Sequence, residues 1–324
     1  MPDLVTVFGG SGFVGSQVVR ALARSGARIR VAVRHPHLAG DQRLHGDVGQ
    51  IEIVQANVRN PASVQRALAG ADAAVNLVST LYEHGRQKFQ SLNVMGAKTV
   101  AEAAAAGGVK RLAHMSALGA DPASASKYAR TKGEGEAAVR AAFPQATIFR
   151  PSVIFGPEDD FFNKFGEMAS MAPALPLVGG GRTRFQPVYV GDVAKAVARA
   201  AVDPDCAGKT FELGGPAQYS FRELMELVLA ETERRRALVP VPFGVAGMLG
   251  GLFDLAAGLV PPPISADQVV LLKSDNVVGG SLPGLADLGI EPTALEAILP
   301  TYMQRYRKGG QYADLVSEGA PAAH

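Results

Sequence analysis

Tyr128 and Lys132 stand four residues apart inside a stretch of helical character, Ser126 to Ala142. At that spacing both side chains leave one face of a helix a single turn apart, so an ammonium can stabilise a phenolate and fit it for proton transfer. The second group with chemical potential lies near the N-terminus. Gly9-Gly10-Ser11-Gly12-Phe13-Val14-Gly15 sets glycines at GxxGxxG spacing between a short apolar run, Leu4 to Phe8, and a segment where Val14, Val18, Val19 and Leu22 recur with helical period. Glycine at the first positions permits a tight turn and lets backbone N–H groups approach a pyrophosphate seated on the positive end of the helix. Gly15 lets that helix pack closely on the strand. In a strand-turn-helix context the loop reads as a dinucleotide site rather than an ordinary turn.

Cofactor choice is written at the end of the second strand. A carboxylate there would hold a bare ribose 2′-hydroxyl, but the chain has Arg34 followed by His35. A guanidinium pairs bidentately with a 2′-phosphate, so the expected cofactor is NADP(H). Asn57 and Val58, after the third strand, are placed to frame the adenine, and Leu77-Val78-Ser79, after the fourth, lies on the expected cofactor path.

The elements that must position these residues follow from short apolar runs. Leu4–Phe8, Ile29–Val33, Ile51–Val54, Ala73–Val78, Leu112–Met115 and Thr147–Phe149 are short and mainly apolar, as strands buried on both faces should be. Helical stretches at 61–68, 89–106 and 126–142 separate later members of the series. The alternation predicts an α/β fold: a Rossmann-like, doubly wound parallel sheet with right-handed crossovers. After Pro151 the texture changes, with Pro157, Pro173, Pro176 and Gly179-Gly180-Gly181 breaking short elements. We therefore expect a nucleotide-binding domain over 1–156, a smaller C-terminal lobe over 157–308 interleaved with it through a return to the sheet at 187–214, and a flexible polar tail over 309–324.

Composition removes other function classes. With 32 basic and 30 acidic side chains the net charge is +2, and no basic block forms a nucleic-acid footprint, so no nucleic acid is expected as partner. One cysteine, Cys206, forms no internal disulfide framework, and the six histidines show no helical ligand spacing, so no metal is expected. Met1-Pro2-Asp3 runs directly into a strand without a basic region and apolar core of a secretory signal, which predicts a cytoplasmic location.

Further motifs accompany these residues: Arg150-Pro151 running into Phe155-Gly156-Pro157, and Val188-Tyr189-Val190-Gly191-Asp192-Val193. With the glycine loop and Tyr128-x-x-x-Lys132 they resemble the extended or atypical branch of the short-chain dehydrogenase/reductase superfamily. Gly46-Asp47-Val48-Gly49-Gln50, Ala142 to Ala146, Glu158-Asp159-Asp160-Phe161, Gln186 to Val190 and Asp287-Leu288-Gly289-Ile290 extend the likeness over roughly Val5 to Tyr306. They are similar to the family of the NADPH-binding accessory subunit of respiratory complex I and its bacterial relatives.

The resemblance implies that Tyr128 is a general acid/base and that Lys132 lowers its pKa and binds the nicotinamide ribose. It also implies a hydroxyl that polarises a substrate carbonyl, and a cofactor contact at Pro151. Ser116 closes the fifth strand and is the candidate hydroxyl, but Ala117-Leu118-Gly119-Ala120 follows where further Ser or Thr residues are expected; Ser124 and Ser126 read as helix N-caps. Two functions stand foremost, with a free redox-sensing regulator that binds NADPH reversibly as a third. NADPH is a structural ligand in a non-catalytic subunit that docks on complex I, or the chain is an NADPH-dependent oxidoreductase or epimerase-like enzyme acting on a small or lipid-soluble substrate.

One stretch, Val239 to Pro263, carries a single charge, Asp254, and its core places Val245, Met248, Leu249, Leu252, Phe253, Leu255 and Leu259 at near-helical spacing. It reads either as a buried helix of the small lobe or as a helix with one face on the inner surface of the cytoplasmic membrane or a membrane-arm subunit. Arg234-Arg235-Arg236 would then supply the attraction to anionic lipid.

Overall fold

The computed structural model describes residues 3–256 and 264–310. The chain alternates β1 (Leu4–Phe8), α1 (Phe13–Arg24), β2 (Arg28–Val33), β3 (Ile51–Gln55), α2 (Pro61–Leu68), β4 (Ala73–Asn76), α3 (Ala97–Ala106), β5 (Arg111–Met115), α4 (Lys127–Ala142) and β6 (Thr147–Pro151). It continues through β7 (Ile154–Phe155), α5 (Phe161–Met171), β8 (Ala174–Val178), β9 (Arg184–Phe185), β10 (Val188–Tyr189), α6 (Val190–Val202) and β11 (Thr210–Leu213). The last elements are β12 (Tyr219–Ser220), α7 (Phe221–Glu231), β13 (Ala237–Val241), α8 (Phe243–Ala256), α9 (Ala266–Leu271), α10 (Leu295–Ile298) and α11 (Pro300–Met303).

Seven strands form one sheet in the order β11-β6-β5-β4-β1-β2-β3, every neighbouring pair parallel. The order reverses between β1 and β4, the switch point at which such sheets open a crevice for ligands. Because strand side chains alternate, the mainly apolar runs feed two cores. Val5, Val7 and Val31 pack under α1 and α6 with Val18, Val19, Leu22 and Val197. Phe8, Ala74 and Ile148 pack under α2, α3 and α4 with Val64, Val100 and Val139. This is the Rossmann-like architecture the sequence predicts.

Three local differences have physical causes. The fourth strand stops at Asn76 rather than Val78, because the Asn76 side-chain oxygen accepts the Val78 N–H at 3.2 Å and turns the chain. The helix expected over 89–106 begins with a π-helical turn at Gln90–Gly96 before α3. In the 187–214 segment, β11 is the edge strand beside β6, whereas β10 pairs with β7 outside the main sheet.

The smaller lobe gathers α5, α7, α10, α11 and the parallel β8–β13 pair around Phe155, Phe162, Leu175, Leu224, Leu299 and Met303. Asp159 ties it to the chain leaving the sheet: its carboxylate accepts from the Phe162 N–H at 2.6 Å, the Gly156 N–H at 3.1 Å and the Tyr302 hydroxyl at 2.6 Å. Helix α8 meets α9 through its small residues. Ala246 packs with Val178 and Val269, and a side chain at Gly250 would lie 2.7 Å from the Ala266 nitrogen. Its larger residues Val245, Met248, Leu249, Leu252 and Phe253 are exposed. The reading of this stretch as wholly buried is corrected for those five positions: the close α8–α9 contact admits only small side chains, so the bulky ones face outward. Leu259, and the tail from residue 311, lie outside the described residues.

Candidate nucleotide and hydroxyl site

The phosphate loop is built by glycines with separate tasks. Gly9 takes a left-handed backbone with φ +80°, open to glycine without strain. Gly12 donates its N–H to the Gly9 carbonyl at 3.1 Å and caps α1, whose first turn presents N–H groups without intrahelical partners. A Cβ on Gly15 would stand 2.1 Å from the Gly9 oxygen, so α1 can start this close to the loop only with glycine there. At Gly12 the nearest atom to an added Cβ is the Gly9 oxygen at 3.5 Å, leaving open space outside the loop. Ser11 is exposed, and Phe13 and Val14 are half-buried beside it. These features fit a dinucleotide pyrophosphate: open space, unpaired N–H donors and the positive helix end converge there.

Arg34 follows β2 directly and is exposed. Asn57 directs its side-chain oxygen to the Arg59 N–H at 3.1 Å, while Val58 is turned into the core against Gly96. Leu77 and Val78 lie against the phosphate loop, 3.4 Å from the position of a Cβ on Gly9. Pro151 is buried at the end of β6, where its carbonyl accepts the Leu118 N–H at 3.0 Å.

Across the crevice, α4 holds Tyr128 and Lys132 on one face. Ser126 is its N-cap, accepting the Ala129 N–H at 3.2 Å, and Ser124 accepts the Ser126 N–H, so both serines serve the helix start. The cap is completed from another lobe: Asp267 of α9 accepts from the Lys127 N–H at 2.6 Å, the Tyr128 N–H at 3.0 Å and the Ser126 hydroxyl at 2.8 Å. The Tyr128 ring stands edge-on to Phe89, and Lys132 Nζ lies 5.8 Å from its centroid. Lys132 donates to the Met115 carbonyl at 3.1 Å.

Burial sets the protonation pattern. It pushes the Tyr128 phenol up to about 12, partly opposed by a hydrogen bond with Ser79, and draws Lys132 down to about 8, partly opposed by the Glu136 carboxylate. His114, fully enclosed and facing the Lys132 charge, is held down at about 3 and accepts from the Asn76 amide at 3.2 Å. The phenol is therefore protonated at neutral pH and placed to give a proton rather than take one.

Ser116 does not join Tyr128. It is buried at the end of β5, its N–H on the Phe149 carbonyl, and its hydroxyl has no partner. The hydroxyl that meets Tyr128 belongs to Ser79, which donates to Asn93 Oδ1 at 3.1 Å; Asn93 in turn donates to Thr131 Oγ1 at 3.1 Å. Sequence reading set Ser79 only on the cofactor path and passed over Asn93 and Asp267. The one signal for Asn93 was a buried polar residue in an otherwise apolar helical face. Among the described residues no group of His, Cys, Asp and Glu is arranged to hold a metal.

Comparison with known proteins agrees with this geometry. The model of the NAD dependent epimerase/dehydratase family matches residues 5–214. The mouse (Mus musculus) protein NADH dehydrogenase (ubiquinone) 1 alpha subcomplex subunit 9, mitochondrial, is 36% identical over 98% of this chain and 84% of its own. Ceramide reductase of Caulobacter vibrioides is 35% identical over 59% of this chain and 58% of its own. Among solved structures, the dTDP-glucose 4,6-dehydratase DesIV of Streptomyces venezuelae, with NAD and TYD bound, superposes with a TM-score of 0.70 at 21% identity over 97% of this chain and 98% of that one. The chain belongs to the NAD-dependent epimerase/dehydratase family, in the branch that contains the alpha subcomplex subunit 9 of NADH dehydrogenase.

Proposed function

We propose that this protein is an NADPH-binding accessory subunit of respiratory complex I, in which the nucleotide stabilises the fold by binding only the native state. The observation that carries this reading is similarity to complex I subunits along almost the whole chain, small lobe included. NADPH rather than NADH is supported by the exposed Arg34 after β2, where no carboxylate is present to hold a 2′-hydroxyl.

Docking is assigned to the exposed apolar face of α8, laid on the membrane surface beside the complex. Between Val245 and Phe253 that face holds no charged side chain. Exposed Arg182 and Lys273 flank its N-terminal end, their segments joined by the Thr183 hydroxyl on the Leu272 carbonyl, and they suit anionic headgroups. The arginine run 234–236 does not serve this purpose. It lies at the far end of β13 from α8, with Arg234 Nε on the Tyr306 carbonyl and Arg236 Nε on the Ala169 carbonyl. Among the described residues no helix is long and apolar enough to cross a membrane, which suits a peripheral contact.

The test is a native pull-down from solubilised membranes. Co-purification of complex I subunits with bound NADPH is the expected result, and Tyr128→Phe leaves both unchanged. Recovery of the chain without complex I subunits overturns the assignment. A second reading, an NADPH-dependent reductase, is favoured by the paired Tyr128 and Lys132 and by the similarity to a ceramide reductase.

A further inference from the structure

Helix α8 is seated at its first turn by Phe243 on Gly179 and by Ala246 on Val178, and beyond that turn α9 is its principal support. One row of residues makes the contact. Ala246, Gly250 and Asp254 recur every four residues along one line of the helix. Ala246 packs with Val269, a side chain at Gly250 would lie 2.7 Å from the Ala266 nitrogen, and Asp254 Oδ2 accepts the Ala266 N–H at 3.0 Å. The helix itself is weakly built. At Gly244, Gly247 and Gly251 no described residue stands within 4 Å of an added Cβ, so packing gives no reason for glycine at these three positions. Each lowers the stability of a helix relative to alanine. Val245, Met248, Leu249, Leu252 and Phe253 fall on another face, exposed and gathered there only while α8 is helical.

The start of α9 joins this helix to the nucleotide crevice. Ala266 is bonded to Asp254 of α8, and the next residue, Asp267, caps α4 at Ser126, Lys127 and Tyr128. We infer that α8 is a marginal helix that senses docking: an anionic membrane surface fixes it against α9 and, through Asp254 and Asp267, tightens NADPH binding in the crevice. The inference rests on the docking and cofactor readings above. A membrane selects the helical form of α8, since only that form presents the apolar face, and a seated α8 holds Ala266 and Asp267 in place. NADPH selects the form in which α4 is capped and Tyr128 and Lys132 stand at the crevice. Both ligands favour one arrangement of the same chain, so each must tighten the other by an equal factor.

The experiment uses the full chain with vesicles of phosphatidylcholine and phosphatidylglycerol in equal parts. NADPH affinity is read by nicotinamide fluorescence with and without vesicles, and vesicle binding by co-sedimentation with and without NADPH. Each ligand should raise affinity for the other about fivefold. Both should slow amide exchange at Lys127 and Tyr128. The triple change Gly244→Ala, Gly247→Ala and Gly251→Ala should bind NADPH in solution within about twofold of the vesicle-bound wild type and lose most of the response to vesicles. Asp267→Asn puts an amide N–H where α4 offers donors; it should still bind vesicles, with no effect of NADPH. If that variant fails to fold, Asp254→Ala breaks the relay from the α8 side and is read in its place. A wild type that binds no NADPH overturns the cofactor reading, and one that binds no vesicles overturns the docking reading, each taking this inference with it. A wild type that binds both with unchanged affinities, or a triple variant that responds to vesicles as the wild type does, overturns the inference alone.

Discussion

The phosphate loop and helix α8 are both glycine-rich, and they use glycine to opposite ends. In the loop, Gly9 and Gly15 let backbone come within reach of backbone, and the space that remains lies outside Gly12, where a ligand fits. In α8, Ala246 and Gly250 bring the helix onto α9, and the bulky side chains are left in solvent. One region spends its small residues to make a concave polar site. The other makes a convex apolar surface. The contrast separates two kinds of recognition: a nucleotide read by N–H groups and charge, and a partner surface read by apolar area.

The largest test of this contrast is Gly12→Val. Gly12 has an ordinary extended backbone, φ −83° and ψ 176°, and room for a Cβ, so the fold should persist with an unchanged far-UV CD spectrum. NADPH affinity should fall by about a hundredfold or more, roughly 3 kcal/mol, because the side chain fills the phosphate space. Retained affinity would make the loop a mere turn.

On the other side of the comparison, the double change Leu249→Ser and Phe253→Ser should leave NADPH binding intact. It should shift the chain from vesicles of anionic lipid to solution by at least about tenfold, since each apolar side chain loses on the order of 1 kcal/mol of burial. If the variant fails to fold, these residues are core and the contrast collapses.

Arg34→Asp sharpens the polar side. It should weaken NADPH by about 1.5–3 kcal/mol and NADH by less, as measured by titration of each nucleotide. Equal losses would take Arg34 out of the site.

The smallest effect concerns the buried His114, which faces the Lys132 charge. His114 titrates near 3 in the folded chain against 6.5 unfolded, so between those values the unfolded chain binds the extra proton. Stability must therefore rise with pH across that window and fall as the solution is acidified below about 6.5. Urea midpoints measured at pH 7 and pH 5 should show the drop, and His114→Asn should reduce it.

Much of the sheet was legible because its determinants are local. Runs such as Leu4–Phe8 and the loop that follows announce strand, turn and helix within a dozen residues, and the YxxxK pair needs only one helical turn to be recognised. What escaped was set by contacts distant in sequence. Whether Ser116 or Ser79 meets Tyr128 depends on how the β4 and β5 loops lie against α4. The end of the fourth strand turned on a single side-chain bond from Asn76 to the Val78 N–H. The outward face of α8 was undecidable from its periodicity, because an apolar stripe looks alike whether a partner covers it or water does.

The cap on α4 has a consequence for how the molecule is made. Three groups at the start of this helix are bonded to Asp267, a residue about 140 positions further along the chain. During synthesis the sheet-forming half emerges first, and N-terminal units can begin folding before the remainder exists. The helix bearing Tyr128 nevertheless keeps Lys127 and Tyr128 N–H groups without their carboxylate until α9 has emerged and packed. A nascent chain stopped short of residue 267 would have its phosphate loop but a frayed α4, at a cost of about 1 kcal/mol for the missing cap. The order of translation thus completes the nucleotide cradle before the hydroxyl site that faces it.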